Sequence, residues 1–102
     1  MAYNLEVRVT WDPAKDHSNR EKHGVSFDEA RALFEGAENY LVLFDVEHSD
    51  DEDRFLAIGP IRSGVIVVAY TEEEDDLVRI ISARKATMRE RTLFYDRIGG
   101  KR

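Results

Sequence analysis

Lys22 and His23 stand side by side in "REKHG", and Arg54 follows the acidic run "SDDED". Arg79 and Arg84 fall in "VRIISAR", and Glu90 and Tyr95 in "RERTLFY". These side chains carry charge and protons, and no pattern around them binds metal. The chain has no cysteine, and His17, His23 and His48 lack a convincing ligand spacing. A set of Lys, Arg, His, Glu and Tyr suits one reaction particularly well, the cleavage of RNA by its own 2′-hydroxyl. That reaction needs a base for the hydroxyl, an acid for the leaving oxygen and fixed positive charge for the crowded phosphate. Arginine supplies the charge through forked hydrogen bonds.

Each residue also has a plainer reading. His23 beside Gly24 can cap carbonyls at a helix end. Arg79 can lie on the solvent face of an edge strand, and Arg84 can pair with an acidic turn. Glu90 can pair with Lys85, Arg89 or Arg91, and Tyr95 can be core with its hydroxyl at the rim. Spacing alone does not establish an enzyme. Other chemistries have less to stand on. The six glycines are scattered at turns, with no phosphate loop. Ser26, Ser49 and Ser82 lack an elbow motif. The runs Asp50–Asp53 and Glu72–Asp76 lack the ordered spacing of a calcium loop and read as solvated turns.

The elements that must position these residues can be read from period and punctuation. "YNLEVRVT" alternates Leu5, Val7 and Val9 with polar residues, predicting a half-buried strand over 3–10. Asp12 is then an N-cap with Pro13 at the first helical position, and Gly24 is the left-handed stop. Between Asp12 and His23 only Pro13 and Ala14 are apolar, so this helix has no stripe with which to pack. Trp11 and Val25 can hold its ends, leaving Lys15, Asn19 and Lys22, spaced i, i+4, i+7, to be presented from one face. Ser26 and Glu29 predict a capping box for a short helix over 27–35, with Phe27, Ala30, Leu33 and Phe34 as its stripe. Four strands follow at 40–46, 54–61, 65–71 and 77–83, three of them nearly continuously apolar. A last helix runs from about Lys85 to Ile98 and stops at Gly99-Gly100. The order β-α-α-β-β-β-β-α predicts a single α+β domain over 1–102, with one antiparallel sheet and flanking helices.

Composition sets the limits. A chain of 102 residues folds as one domain with a thin core. No apolar run approaches the roughly 20 residues that span a membrane, and no signal-peptide pattern begins the chain, so a cytoplasmic location is expected. The net charge of −6 is unevenly spread. Residues 1–78 hold 7 Lys/Arg against 19 Asp/Glu, and residues 79–102 hold 8 against 2. A basic C-terminal segment on an acidic body offers an anionic partner electrostatic steering, with Arg89, Arg91 and Arg97 on the last helix.

"WDPAKDHSNREKHGVSFDEA", "HSDDEDRFLAIG" and "RIISARKATMRERTLFY" together resemble the BrnT family of type II toxin–antitoxin systems. The resemblance covers roughly residues 11–95. It implies a RelE-like fold and a cofactor-free, metal-independent endoribonuclease that inhibits translation. It also implies neutralisation by a BrnA-type antitoxin, in a heterotetramer built on an antitoxin dimer, with operator DNA bound only through the antitoxin. Motif positions carried over by match are Lys22, His23, Arg54, Arg79, Arg84, Glu90 and Tyr95. In this reading Arg54 and Arg84 hold phosphate, Lys22 adds charge, and Glu90, His23 or Tyr95 handle protons, unless Glu90 only orients Arg84. Lys15, Asn19, Arg79 and Arg89 would contact RNA. The alternative is an antitoxin-binding module acting mainly in operon co-repression. The chain departs from its relatives after Thr71-Glu72, where they often carry Arg and Gly and this chain reads Glu73-Glu74-Asp75-Asp76.

Overall fold

Asp12 caps the first helix by accepting a hydrogen bond from the Ala14 amide at 2.9 Å, and Gly24 ends it in the left-handed region at φ 74°. Ser26 and Glu29 close the reciprocal box that starts the second, each side chain accepting from the other's amide at 2.9 Å. Both helices therefore begin, and the first also ends, where capping chemistry places them. The structure, a computed structural model, describes residues 7–35, 40–74 and 76–98. Its elements are β1 (Arg8–Thr10), α1 (Pro13–His23), α2 (Phe27–Glu35), β2 (Leu41–Phe44), β3 (Phe55–Ile61), β4 (Gly64–Glu74), β5 (Leu77–Lys85) and α3 (Met88–Ile98). A single 3₁₀ turn, Val46–His48, lies between β2 and β3. Residues 3–6 of the expected first strand and the Gly99-Gly100 stop lie outside the described residues.

The α+β architecture and element order are as the sequence predicts. The sheet is mixed, not antiparallel. Its order is β1-β5-β4-β3-β2, and three antiparallel pairings join β2 through β5. β1 lies parallel to β5, with Thr10 opposite Arg79. The reason is the connection. A parallel pair needs a long crossover, and between β1 and β2 the chain makes one with two helices, so no tight turn fixes the direction of β1.

α1 and α2 pack on one face of the sheet and α3 on the other. Under α1 and α2 lie Phe27, Ala30, Leu33 and Phe34 of α2 against Ala57, Ile66, Val68, Tyr70, Val78, Ile80 and Ala83. Gly59 allows this approach: a Cβ there would come within 2.7 Å of Leu33 Cδ1 and 2.8 Å of Tyr40 Cβ. On the opposite face Phe94 packs on Ile58, Val65 and Val67, with Leu41, Leu43, Tyr95 and Ile98 around it. β3 and β4 are thus buried on both sides, as their apolar runs predict. α3 begins at Met88 instead of about Lys85. β5 continues to Lys85 opposite Ile66, and Thr87 and Glu90 form a second capping box, each accepting from the other's amide. No helix among the described residues is long and apolar enough to cross a membrane.

Candidate active site

Arg84 lies five positions after Arg79, and in a regular strand that odd spacing would send them to opposite faces. β5 is not regular. Tyr70 stands opposite Ile80 while Ala69 stands opposite Ser82, so Ile81 is an extra residue, a bulge. It returns Val78 and Ile80 to the core beneath α1 and α2, alongside Ala83. Arg79 and Arg84 consequently share the α3 side of the sheet, opposite Thr71 and Val67. Arg54 joins them by register. Its carbonyl accepts from the Asp45 amide, extending the β2–β3 ladder, and the pleat directs it away from the Phe55 side. α3 packs over β2, β3 and Val65 and Val67 of β4 on this side and reaches β5 through the Glu90–Arg84 pair.

Arg84 is the best-fixed cation of the set. Its Nη1 and Nη2 fork onto Glu90 Oε1 and Oε2 at 2.7 and 2.8 Å, and Nη1 also reaches the Lys85 carbonyl at 3.3 Å. The fork leaves Nε–H and a second Nη2 proton unused. Glu90 Oε1 also accepts from the Thr87 amide at 2.9 Å. The Arg84 guanidinium, outweighing partial burial and helped by the Thr87 amide, holds the Glu90 carboxyl down at about 2. At neutral pH Glu90 is therefore an ionised carboxylate, a weak base whose two oxygens aim Arg84.

Arg79 is bound on both sides, Nε to Glu73 at 2.8 Å and Nη2 to Glu52 at 2.8 and 3.0 Å. The acidic runs are not simply solvated turns: Glu74 and Asp76 hold Arg8 in the same way. Arg54 differs. Its Nε is buried with no hydrogen-bond partner among the described residues. Tyr95 on α3 is half-buried, its ring edge-on to Phe94 at 5.1 Å. Arg89 is exposed in the first turn of α3.

The α1 residues divide. Lys15, Lys22 and His23 are exposed, and none bonds to Arg84 or Glu90 among the described residues. Asn19 is not a presented side chain. It is only 7% exposed, and its amide donates to the carbonyls of Val25 and Ala83 and accepts from the Ala83 amide. Beyond Thr10, β1 no longer pairs with β5, and Asn19 fills that place in the ladder with a side chain. Asp16 makes a second tie, accepting from the Phe27 amide at 2.8 Å. Trp11 packs edge-on to Phe27 and Val25 is buried, so the expected end anchors are in place. A helix without an apolar stripe is thus also pinned through polar groups in its middle.

The same fold occurs in the crystal structure of the Brucella abortus ribonuclease toxin, BrnT. The superposition has a TM-score of 0.61 at 24% identity and covers 80% of this chain and 99% of that one. Residues 11–90 match the family described as ribonuclease toxin, BrnT, of type II toxin-antitoxin system, and the chain belongs to that family. No curated protein matches the sequence.

Proposed function

We propose that this chain is an endoribonuclease that cleaves RNA by attack of its own 2′-hydroxyl, at a site centred on Arg84. The observation that carries this reading is the Arg84–Glu90 fork on the sheet face that Arg54 and Arg79 share. The 2′-oxygen bonds to phosphorus as the bond to the 5′-oxygen breaks, giving a 2′,3′-cyclic phosphate and a 5′-hydroxyl. Arg84 offers its Nε–H and remaining Nη2 proton to the phosphate oxygens, and Arg54 on the same face adds positive charge. Lys22, Lys15 and Arg89 add positive potential for the approaching strand. In this scheme His23 and Tyr95 take the hydroxyl proton and return one to the leaving oxygen, since Glu90, held by Arg84, carries no proton to give and is a weak base. No metal enters this scheme.

As a member of a type II toxin family the chain has an antitoxin partner. A BrnA-type partner that lays carboxylates near Arg84 would compete with RNA for the same guanidinium, and apolar contact would supply most of its affinity. Operator DNA would be met only through that partner. One observation favours a weaker enzyme that acts mainly in co-repression: Glu52, Glu73 and Glu90 already occupy two of the three arginines.

Induced alone in cells, the wild-type chain should arrest growth with cleaved RNA. Arg84→Ala should lose roughly a hundredfold or more in rate, the cost of a charge-assisted fork in the transition state. Circular dichroism should show the variant folded. EDTA should leave cleavage unchanged. Growth arrest by Arg84→Ala equal to wild type would remove Arg84 from the site, and no arrest by wild type would favour co-repression.

A further inference from the structure

Beside the Arg84–Glu90 pair lies a cleft of about 310 Å³, lined by Gly64, Val65, Met88, Arg91, Thr92 and Tyr95, of which only Tyr95 enters the scheme above. It sits between the start of β4 and the face of α3 formed by residues at i, i+3, i+4 and i+7. Its composition is selective. Met88 is 73% exposed, an unbranched thioether at the first turn of a helix with nothing apolar over it. Tyr95 supplies an aromatic ring whose orientation is fixed edge-on against Phe94. Thr92 adds a half-buried hydroxyl, and Arg91 is exposed with no ion partner among the described residues. Gly64 has no side chain, and nothing stands within 4 Å of where its Cβ would be, so the floor is bare backbone. An aromatic ring and a soft apolar side chain, one hydroxyl and one free guanidinium describe a receptor for a flat heteroaromatic ring carrying an anion.

From this we infer that the cleft between Gly64-Val65 and α3 is a nucleobase subsite, holding the base next to the phosphate that Arg84 grips. The inference rests on the ribonuclease reading and adds to it the place where the substrate's bases are read. The position fits. Val65 lies two residues along β4 from Val67, the partner of Arg84, a separation of roughly 7 Å at strand rise. The Val65 carbonyl also accepts from Ala86, which ties the cleft wall to the end of β5. A volume near the lower end of the roughly 300–1,000 Å³ of ligand pockets holds one base rather than several. Stacking on Tyr95 and Met88 tolerates any base, and the Thr92 hydroxyl and exposed backbone add preference at the ring edge. Arg91 pairs with the phosphate of that nucleotide.

The probe is a set of 2′-O-methyl-RNA tetranucleotides, one for each base, which bind but cannot be cleaved. They are titrated into the full chain while the Met88 methyl and Tyr95 ring resonances are followed by NMR. Saturable shifts at both, weakened about five- to fiftyfold by Met88→Ala with Arg91→Ala, are expected from the loss of one stacked base and one phosphate contact. Binding that leaves those resonances unmoved, or no binding, overturns the subsite. Cleavage is read separately on matching RNA. A chain that shows the shifts but cuts nothing keeps the subsite and loses the ribonuclease reading. A chain whose cleavage of RNA is as fast with the two substitutions as without them loses the subsite alone.

Discussion

On one face of the sheet α1 and α2 close over a core in which Phe27, Ala30, Ala57, Ile66 and Val68 expose no surface at all. On the other, α3 covers β2, β3 and Val65 and Val67 of β4 around Phe94, and β5 carries Arg79 and Arg84. The first face is closed by volume and the second is left half open for charge. In so short a chain these demands compete, because each residue spent on a second helix layer is one not available to meet a ligand. The bulge at Ile81 is where the two meet. One added residue sends Val78 and Ile80 to the closed face and both arginines to the open one.

If the closed face holds the stability, its largest side chain should matter most. Phe27→Ala should cost about 4–5 kcal/mol, since the surrounding core cannot collapse into the space. Phe94→Ala should cost about 3 kcal/mol, because its smaller cluster borders the open half and can relax. Urea unfolding of the two variants measures both. A loss at Phe94 equal to or above that at Phe27 would mean that the two faces carry equal weight.

Asn19 gives the next effect. Asn19→Leu keeps the volume but strips partners from the Ala83 amide and carbonyl and the Val25 carbonyl, at about 1–3 kcal/mol for each group that water cannot reach. A total of about 3 kcal/mol is expected in the same assay, while Lys15→Ala and Lys22→Ala stay within about 0.5 kcal/mol. Equal, small losses at all three would return Asn19 to the surface role its spacing suggests.

Such contrasts mark what sequence can and cannot tell. The limits of α1 and α2 were legible because Asp12, Pro13, Gly24, Ser26 and Glu29 act within a few residues of themselves. The type and order of the strands were legible because β3 and residues 65–70 of β4 are apolar throughout. Asn19 was not, since a polar residue in an all-polar helix looks exposed until the β5 edge is placed beside it. The bulge hides in Ile80-Ile81, where two consecutive apolar residues look like any buried strand. The parallel pairing of β1 has no turn to announce it. Among the candidate site residues, Arg84 and Glu90 are brought into contact, and their spacing of six across a strand end and a capping box showed only that they lie on successive elements. Glu52 and Glu73 read as solvated because their partner, Arg79, lies across the sheet.

Acid should act on the open face before the closed one. The Glu90 carboxyl is held at about 2, below its usual 4.5, so it binds fewer protons folded than unfolded. Its contribution is complete above about pH 4.5 and is lost as pH falls towards 2. The partly exposed pair limits this to on the order of 1 kcal/mol. Wild type should exceed Glu90→Gln by that margin at pH 7, and the gap should narrow below about pH 4.5 and close by about pH 2. A gap that stays constant down to pH 2 would show that the ion pair does not supply it.

The smallest effect tests whether the open face is partly shut by its own acids. Glu52 and Glu73 hold Arg79 in place of any incoming phosphate, and their charges repel RNA over a Debye length of roughly 10 Å at 0.1 M salt. Replacing both by glutamine keeps the shape and removes two negative charges beside one arginine. Stability should change by no more than about 1 kcal/mol, since these pairs are partly exposed. Affinity for a non-cleavable single-stranded RNA should rise about threefold at low salt, and the gain should shrink as salt is raised, because counterion release dominates such binding. Fluorescence anisotropy across a salt series reads both. An unchanged affinity at every salt would place Arg79 off the path of the RNA, and the open face would then narrow to Arg84 and Arg54.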